Sequence, residues 1–270
     1  MNLSAFRLTN VIPSAGFARY AVALLGDELF MSNINSQQIE VYDTVNFTLQ
    51  RRLPVPGLVA HSYGLVACIS NNCLYASVFN NNTIFRVDLS DTNAVKTWSV
   101  VGNPSGLSVN KAHNVVVACH GANKLQEYTT DGTLVREINL QQAGFTNPWH
   151  AVQLSTGDYV VSWDVSPGAV SVIGVDGQVV LSYDKSQTSD VGEMKNSRCL
   201  AVTNHGDILV ADCGNNRILA INTSLSFIQQ LALPVDNGLK SPFGLCLYES
   251  RGRLYVTESE GRVLVFECML

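Results

Sequence analysis

Apolar residues fall along this chain in short runs, each interrupted by a small polar turn and resumed in a second run. The unit is clearest in three segments. They are Leu74-Tyr-Ala-Ser-Val-Phe-Asn-Asn-Asn-Thr-Ile-Phe-Arg-Val, Val115-Val-Val-Ala-Cys-His-Gly-Ala-Asn-Lys-Leu-Gln-Glu-Tyr and Ile208-Leu-Val-Ala-Asp-Cys-Gly-Asn-Asn-Arg-Ile-Leu-Ala-Ile. The same unit recurs at Leu29, Tyr159 and Leu254, so its starts lie 45, 41, 44, 49 and 46 residues apart. Six strand–turn–strand units with a period near 45 residues predict an all-β, six-bladed β-propeller of four-stranded antiparallel blades.

A second element precedes each unit. It reads Asn103-Pro-Ser-Gly-Leu-Ser-Val, Asn147-Pro-Trp-His-Ala-Val, Asn196-Ser-Arg-Cys-Leu-Ala-Val and Ser241-Pro-Phe-Gly-Leu-Cys-Leu, with degenerate forms at Ala18-Arg-Tyr-Ala-Val and Ser62-Tyr-Gly-Leu-Val. Proline cannot donate to a sheet ladder and marks the entry to a strand. The alternating small and apolar residues that follow suit the crowded inner strand of a blade. Turns such as Thr130-Asp-Gly-Thr and Val175-Asp-Gly-Gln then predict a hairpin into a fourth strand. The last unit stops after three strands, and Phe6-Arg-Leu-Thr-Asn-Val-Ile at the N-terminus can supply its fourth. That closes the ring and leaves no open edge between first and last blade. The expectation is one domain over residues 1–270.

Composition agrees. Apolar residues make up 46% of the chain and charged residues 14%, against a usual charged share of about 25%, as expected where blades bury both sheet faces. With 17 basic and 22 acidic side chains the net charge is −5, which excludes a protein that coats nucleic acid by bulk positive charge. No apolar stretch approaches the roughly 18 residues of a membrane span, and Arg7 and Arg19 interrupt the N-terminal segment where a signal core would lie. The reading is a cytoplasmic chain with no membrane partner. Its seven cysteines show no CxxC spacing, which argues against a zinc ribbon or disulfide framework; Cys68 and Cys73 flank a turn and are expected to face each other as thiols.

The order Pro-x-Gly-Leu-x-Val, then Ile-Leu-Val-Ala-Asp-x-Gly-Asn-Asn-Arg-Ile, then Asp-Gly, resembles the NHL repeat, most closely from Arg198 to Ile221. The chain looks like the C-terminal propeller of tripartite-motif (TRIM-NHL) proteins. The zinc-ligand spacings of the domains that precede such propellers are missing here, so the resemblance implies a recognition module for protein or RNA and no ubiquitin-ligase chemistry.

Candidate contact residues follow from the repeat. The strand-one entry and the strand-two/three turn share one rim, the top. The residue before the glycine of Pro-x-Gly should sit at the channel mouth, and reading by blade it is Arg19, Tyr63, Ser105, Trp149, Arg198 and Phe243. Aromatic side chains and arginine stack bases and anchor protein hot spots; the same side chains also serve as wedges between blades. The turns add Asn33, Asn35, the segment from Phe79 to Asn82, His120, Asn123, Trp163, Asp164, Asn215, Asn216 and the segment from Glu258 to Arg262. Lys124, Arg217 and Arg262 form one column, available for phosphate contacts, with Asp164, Glu258 and Glu260 on the same rim. Asparagine tolerates the left-handed turn conformation, so most of the asparagines are expected to be structural, and Asp212 to bond backbone.

Enzyme readings rank lower. His61, His120 and His150 lie on top segments of three consecutive blades, as in a zinc lyase on a related propeller, the peptidyl-hydroxyglycine amidating lyase, but only His150 matches that lyase's repeat position. Lactonase-type propellers use a first-blade glutamate, and neither Glu28 nor Glu40 falls where one is needed. The expectation is therefore no catalytic residue, no metal and no cofactor. The top face is read as a binding surface for a protein or peptide, with single-stranded RNA as the alternative.

Overall fold

The computed structural model describes residues 6–14, 16–33, 36–58, 61–91, 94–183, 192–226, 228–231 and 238–268. They form six four-stranded antiparallel sheets. Blade one is β2 (Arg19–Leu25), β3 (Glu28–Asn33), β4 (Gln38–Asp43) and β5 (Leu49–Pro54); blade two is β6 (Leu65–Cys68), β7 (Cys73–Val78), β8 (Thr83–Asp88) and β9 (Val95–Ser99). Blade three is β10 (Pro104–Val109), β11 (Val115–Cys119), β12 (Lys124–Tyr128) and β13 (Leu134–Asn139); blade four is β14 (Pro148–Gln153), β15 (Tyr159–Trp163), β16 (Ala169–Ile173) and β17 (Val179–Tyr183). Blade five is β18 (Ser197–Val202), β19 (Ile208–Asp212), β20 (Arg217–Ile221) and β21 (Ile228–Gln230); blade six is β22 (Pro242–Tyr248), β23 (Arg253–Glu258) and β24 (Val263–Cys268), with β1 (Phe6–Ile12) outermost. The N-terminal strand pairs with β24 from Phe6↔Cys268 to Ile12↔Val263, so the last blade is completed as expected.

The core is divided among the gaps between blades. Phe30, Ile39 and Val41 of blade one, for example, pack on Leu74, Ala76, Val78 and Phe85 of blade two. Second strands are therefore buried on both faces: every residue of β7, β11, β15 and β19 is buried. This explains why these strands read as apolar runs without alternation. The outer strands face solvent, and most carry charges that discourage edge pairing, such as Arg51 and Arg52 on β5 and Lys96 on β9. Cys68 and Cys73 are register partners across their hairpin, and both thiols are free.

The repeat's polar signature has a structural cause. Asn103, Asn147, Asn196 and Ser241 adopt φ of 50°, 61°, 53° and 45° immediately before an inner strand, the left-handed region that asparagine tolerates. A second asparagine set closes the strand-two/three turns: Asn82, Asn123 and Asn216 are left-handed after a single 3-10 turn. These side chains reach the next blade. Asn82 Oδ1 accepts the Asn103 amide at 2.6 Å, Asn216 Oδ1 accepts the Ser241 amide at 2.7 Å, and Asn123 Nδ2 donates to the Phe145 carbonyl at 3.2 Å. The glycines of Pro-x-Gly are fixed by close approach. A Cβ on Gly64 would lie 2.5 Å from the Ser105 carbonyl oxygen, and one on Gly244 would lie 2.6 Å from that of Tyr20.

Candidate binding face at the top of the channel

The six inner strands β2, β6, β10, β14, β18 and β22 surround a central channel. At its top the residues preceding the repeat glycine converge. Tyr20, Tyr63, Trp149 and Phe243 form a closed cycle of rings, with centroids 5.2 Å apart for Tyr20–Tyr63, 5.1 Å for Tyr63–Trp149, 5.5 Å for Trp149–Phe243 and 4.5 Å for Phe243–Tyr20. A diagonal contact of 5.9 Å between Tyr63 and Phe243 fills the middle. Tilted and edge-on contacts at these distances are the favourable ones for aromatic pairs. The rings therefore make a lid across the channel. Trp149 and Phe243 are almost wholly buried in it, and Tyr20 and Tyr63 are half-buried.

Blade one departs from the sequence expectation by one residue. The expected ring residue Arg19 is not in the ring. Its side chain is buried in a polar knot: Nε donates to Asn33 Oδ1 at 3.2 Å, Nη1 to the carbonyls of Pro13 at 2.7 Å and Gly261 at 3.1 Å, and Nη2 to Glu40 at 2.8 Å and the Tyr42 hydroxyl at 3.1 Å. Register identifies the true equivalent. Arg19 pairs with Asn33 as Pro148 pairs with Trp163 and Pro242 with Glu258, so Arg19 holds the proline position and Tyr20 the ring position. The interblade hydroxyls agree. Ser77 donates to Ser105 O at 2.7 Å, Ser162 to Arg198 O at 2.6 Å and Thr257 to Tyr20 O at 3.3 Å, each reaching the ring residue of the next blade.

Blades three and five complete the lid differently. Ser105 is small and fully buried, and its hydroxyl donates to the Trp149 carbonyl at 2.7 Å. The space above it is taken by Phe79 and His120 from two strand-two/three turns, with centroids 5.4 Å apart and 6.5 Å and 5.9 Å from Trp149. In blade five the Arg198 guanidinium lies 3.9 Å from the Trp149 ring and 5.5 Å from Phe243, close enough for cation–π attraction. Its Nη1 is 2.8 Å from Asp164, which His120 Nε2 approaches at 3.5 Å. Burial pushes the Asp164 carboxyl up, but His120 and Arg198 outweigh it and hold the group below its ordinary value. Phe17, in the β1–β2 connection on this rim, is 54% exposed; sequence reasoning passed over it because it lies outside the repeat.

The basic column is not free for phosphate. Lys124 Nζ bonds Glu137. Arg217 Nε donates at 2.6 Å to Asp212, whose other oxygen accepts the Lys195 amide at 2.6 Å. Arg262 Nε donates at 2.7 Å to the buried Glu258, which accepts the Lys240 amide at 2.7 Å. Asp212 is thus a backbone-binding residue, as expected. Asn35 lies outside the described residues.

The three top histidines do not converge. His61 Nδ1 is 2.9 Å from the Tyr63 hydroxyl, His120 turns to Asp164, and His150 lies inside the channel wall. Among the described residues no group of three His, Cys, Asp or Glu side chains has metal-binding geometry. Glu28 pairs with Arg51 on the surface, and Glu40 is committed to Arg19.

Comparison with known proteins places an NHL repeat at residues 198–221, the segment where the sequence matched best. No curated protein matches the chain in sequence. Among solved structures, a catalytically inactive variant of virginiamycin B lyase from Staphylococcus aureus with quinupristin is similar over 98% of this chain and 100% of its own, at TM-score 0.69 and 13% identity. The WD40 β-propeller domain of Doa1 is similar over 98% of both chains at TM-score 0.68 and 12% identity. Hydrazine synthase from Kuenenia stuttgartiensis is similar over 91% of this chain and 75% of its own, at TM-score 0.67 and 18% identity. At these identities the likeness is one of fold. Propellers that catalyse and propellers from other repeat classes share it, so the site must speak for itself.

Proposed function

We propose that this propeller is a non-enzymatic recognition module whose top face binds an extended peptide or loop of a protein partner. The observation that carries the reading is the aromatic lid with its single polar corner. Tyr20, Tyr63 and Phe79 offer half-buried ring surface, and Arg198 and Asp164 stand beside them as a paired donor and acceptor. Aromatic side chains and arginine in one well-packed patch are the composition of a protein hot spot. The resemblance to tripartite-motif propellers supports a recognition role. The RNA alternative is weaker, because Lys124, Arg217 and Arg262 are each neutralised by a neighbouring carboxylate, and phosphate binding needs uncompensated cations.

The test is a selection from a random peptide library on the purified chain at physiological salt, run beside a selection from random single-stranded RNA. The reading expects an enriched peptide motif with an apolar or aromatic anchor, lost in Tyr63→Ala and weakened in Arg198→Ala. A short RNA motif enriched while no peptide is would overturn it.

A further inference from the structure

Beneath the lid the channel widens into a cavity of about 370 Å³, within the roughly 300–1,000 Å³ of small-molecule sites. No Asp, Glu, Lys or Arg side chain lines it. The lid closes its top. At the other end Leu24, Val109, Val152, Val202 and Leu247 are half-buried lining residues, which leaves the bottom face as the entrance.

An inner strand has a sheet partner on one side only, so every second residue turns its amide and carbonyl into the channel. Register shows which residues these are. The Ser77 amide donates to the Gly64 carbonyl, so Leu65, the next residue, faces the channel. In blade one Leu25 and Glu28 close a two-residue turn, which leaves Leu24 and Val22 facing outward. Counted from the repeat glycine or the residue that replaces it, the level of Val22 and Leu65 is held by Leu107, Ala151, Leu200 and Leu245 in blades three to six.

In those four blades the wall satisfies its own carbonyls. His150 Nε2 donates to the Leu107 carbonyl at 2.9 Å, while Nδ1 accepts the Leu200 amide at 3.0 Å. Ser108 Oγ donates to the Ala151 carbonyl at 2.7 Å. The Cys199 thiol lies 3.6 Å from the Leu200 carbonyl oxygen and 3.7 Å from that of Leu245. Blades one and two offer no such side chain, because Ala21 and Ala23 flank Val22, and Gly64 and Val66 flank Leu65. Among the described residues none bonds the channel-facing amide or carbonyl of Val22 or Leu65. Both residues are buried, at 5% and 6% exposure, and buried backbone groups are ordinarily paired. Two complete donor–acceptor pairs thus stand on adjacent blades, below Tyr20 and Tyr63 of the same blades.

We propose that the channel binds an uncharged, flat cyclic amide of the lactam class. A lactam carries its N–H and C=O side by side, so it pairs with Val22 or Leu65 as a neighbouring strand pairs with an edge residue. Its ring face lies against the underside of the tyrosine rings. The wall sets the absence of charge, because an ion would be desolvated there without a partner. The site is separate from the top face, and its ligand enters from below.

The experiment titrates the folded, full chain, isotope-labelled at its valine and leucine amides, with carbostyril, a lactam of two fused rings. Amide shifts are read by nuclear magnetic resonance and affinity by calorimetry. The expected result is saturable binding with the largest shifts at Val22 and Leu65. N-methylcarbostyril, which has lost the donor, should bind about ten-fold more weakly, and the quinaldate anion should not bind. Ala23 follows Val22 as Ser108 follows Leu107, so Ala23→Ser offers the Leu65 carbonyl the hydroxyl that Ser108 gives Ala151. It should weaken carbostyril several-fold and leave the melting temperature within a few degrees. No saturable binding at millimolar carbostyril would overturn the proposal. So would an affinity indifferent to N-methylation or to Ala23→Ser, or shifts confined to residues outside the channel.

Discussion

Replacement of Arg19 by Met should loosen the closure of the ring. Arg19 is the only side chain in its knot that touches both ends of the wheel. Asn33, Glu40 and Tyr42 belong to blade one, Gly261 to blade six, and Pro13 to the connection leaving β1. The substitution removes these bonds and leaves Glu40, 2% exposed, with the partly exposed Arg52 at 3.4 Å as its remaining cation and a long bond from the Tyr42 hydroxyl at 3.5 Å. Breaking a buried pair by removing one partner costs about 3–5 kcal/mol. At about 2.1 cal/mol/K of unfolding entropy per residue, a chain of 270 residues loses about 5–9 °C of Tm. Thermal melting followed by near-ultraviolet circular dichroism measures it. Adding Glu40→Gln in the same chain should recover part of the loss, because the stranded charge is then gone. A shift under about 1 °C for Arg19→Met, or no recovery in the double variant, would refute the closure role.

Other expectations follow from the same geometry. Burial raises Glu40 and Glu127, but Arg19 in one case and Asn114, Asn110 and Arg136 in the other outweigh it, so both sit below the ordinary value of 4.5. A lowered carboxylate stabilises above its unfolded value and loses that contribution as pH falls through the folded one. Tm should therefore drop steeply below about pH 4.5, and by less in Glu127→Gln. Gly106→Ala should cost about 1–3 kcal/mol in urea unfolding by driving into His150, and Gly106→Ala/His150→Ala should cost less than the two single losses added. Lys124→Ala or Arg262→Ala should leave weak RNA binding and its salt dependence unchanged within about two-fold, since each cation is already neutralised; a clear loss in a filter-binding titration would restore the phosphate reading.

The fold was legible because the blade is repeated and each copy corrects the others. Pro-x-Gly-Leu marked two inner strands outright and its variants at Asn147 and Asn196 marked two more, and the missing fourth strand of the last blade pointed to Phe6–Ile12. Blade one was misread at Arg19 because Ala18-Arg-Tyr-Ala-Val has neither the proline nor the glycine that fixes the frame. A signal was present nonetheless: Glu40 falls in the middle of an apolar strand, and a buried carboxylate requires a buried cation, which Arg19 supplies. The lid itself was half visible. Tyr63, Trp149, Arg198 and Phe243 were found by position, but the substitution of Phe79 and His120 for the small Ser105 depends on how two turns lean over the channel. The pairing of Lys124, Arg217 and Arg262 with carboxylates was hidden for the same reason, since Glu137 lies on an outer strand and Glu258 and Asp212 on second strands.

The most direct test of the central claim is a hydrogen-exchange footprint of the chain with a selected peptide bound. Slowed exchange is expected in the top segments 61–64, 79–82, 147–150, 196–199 and 241–244, with the bottom turns 69–72, 110–114 and 203–207 unchanged. Protection confined to those bottom turns, or to the exposed outer strand Val179–Tyr183, would contradict it.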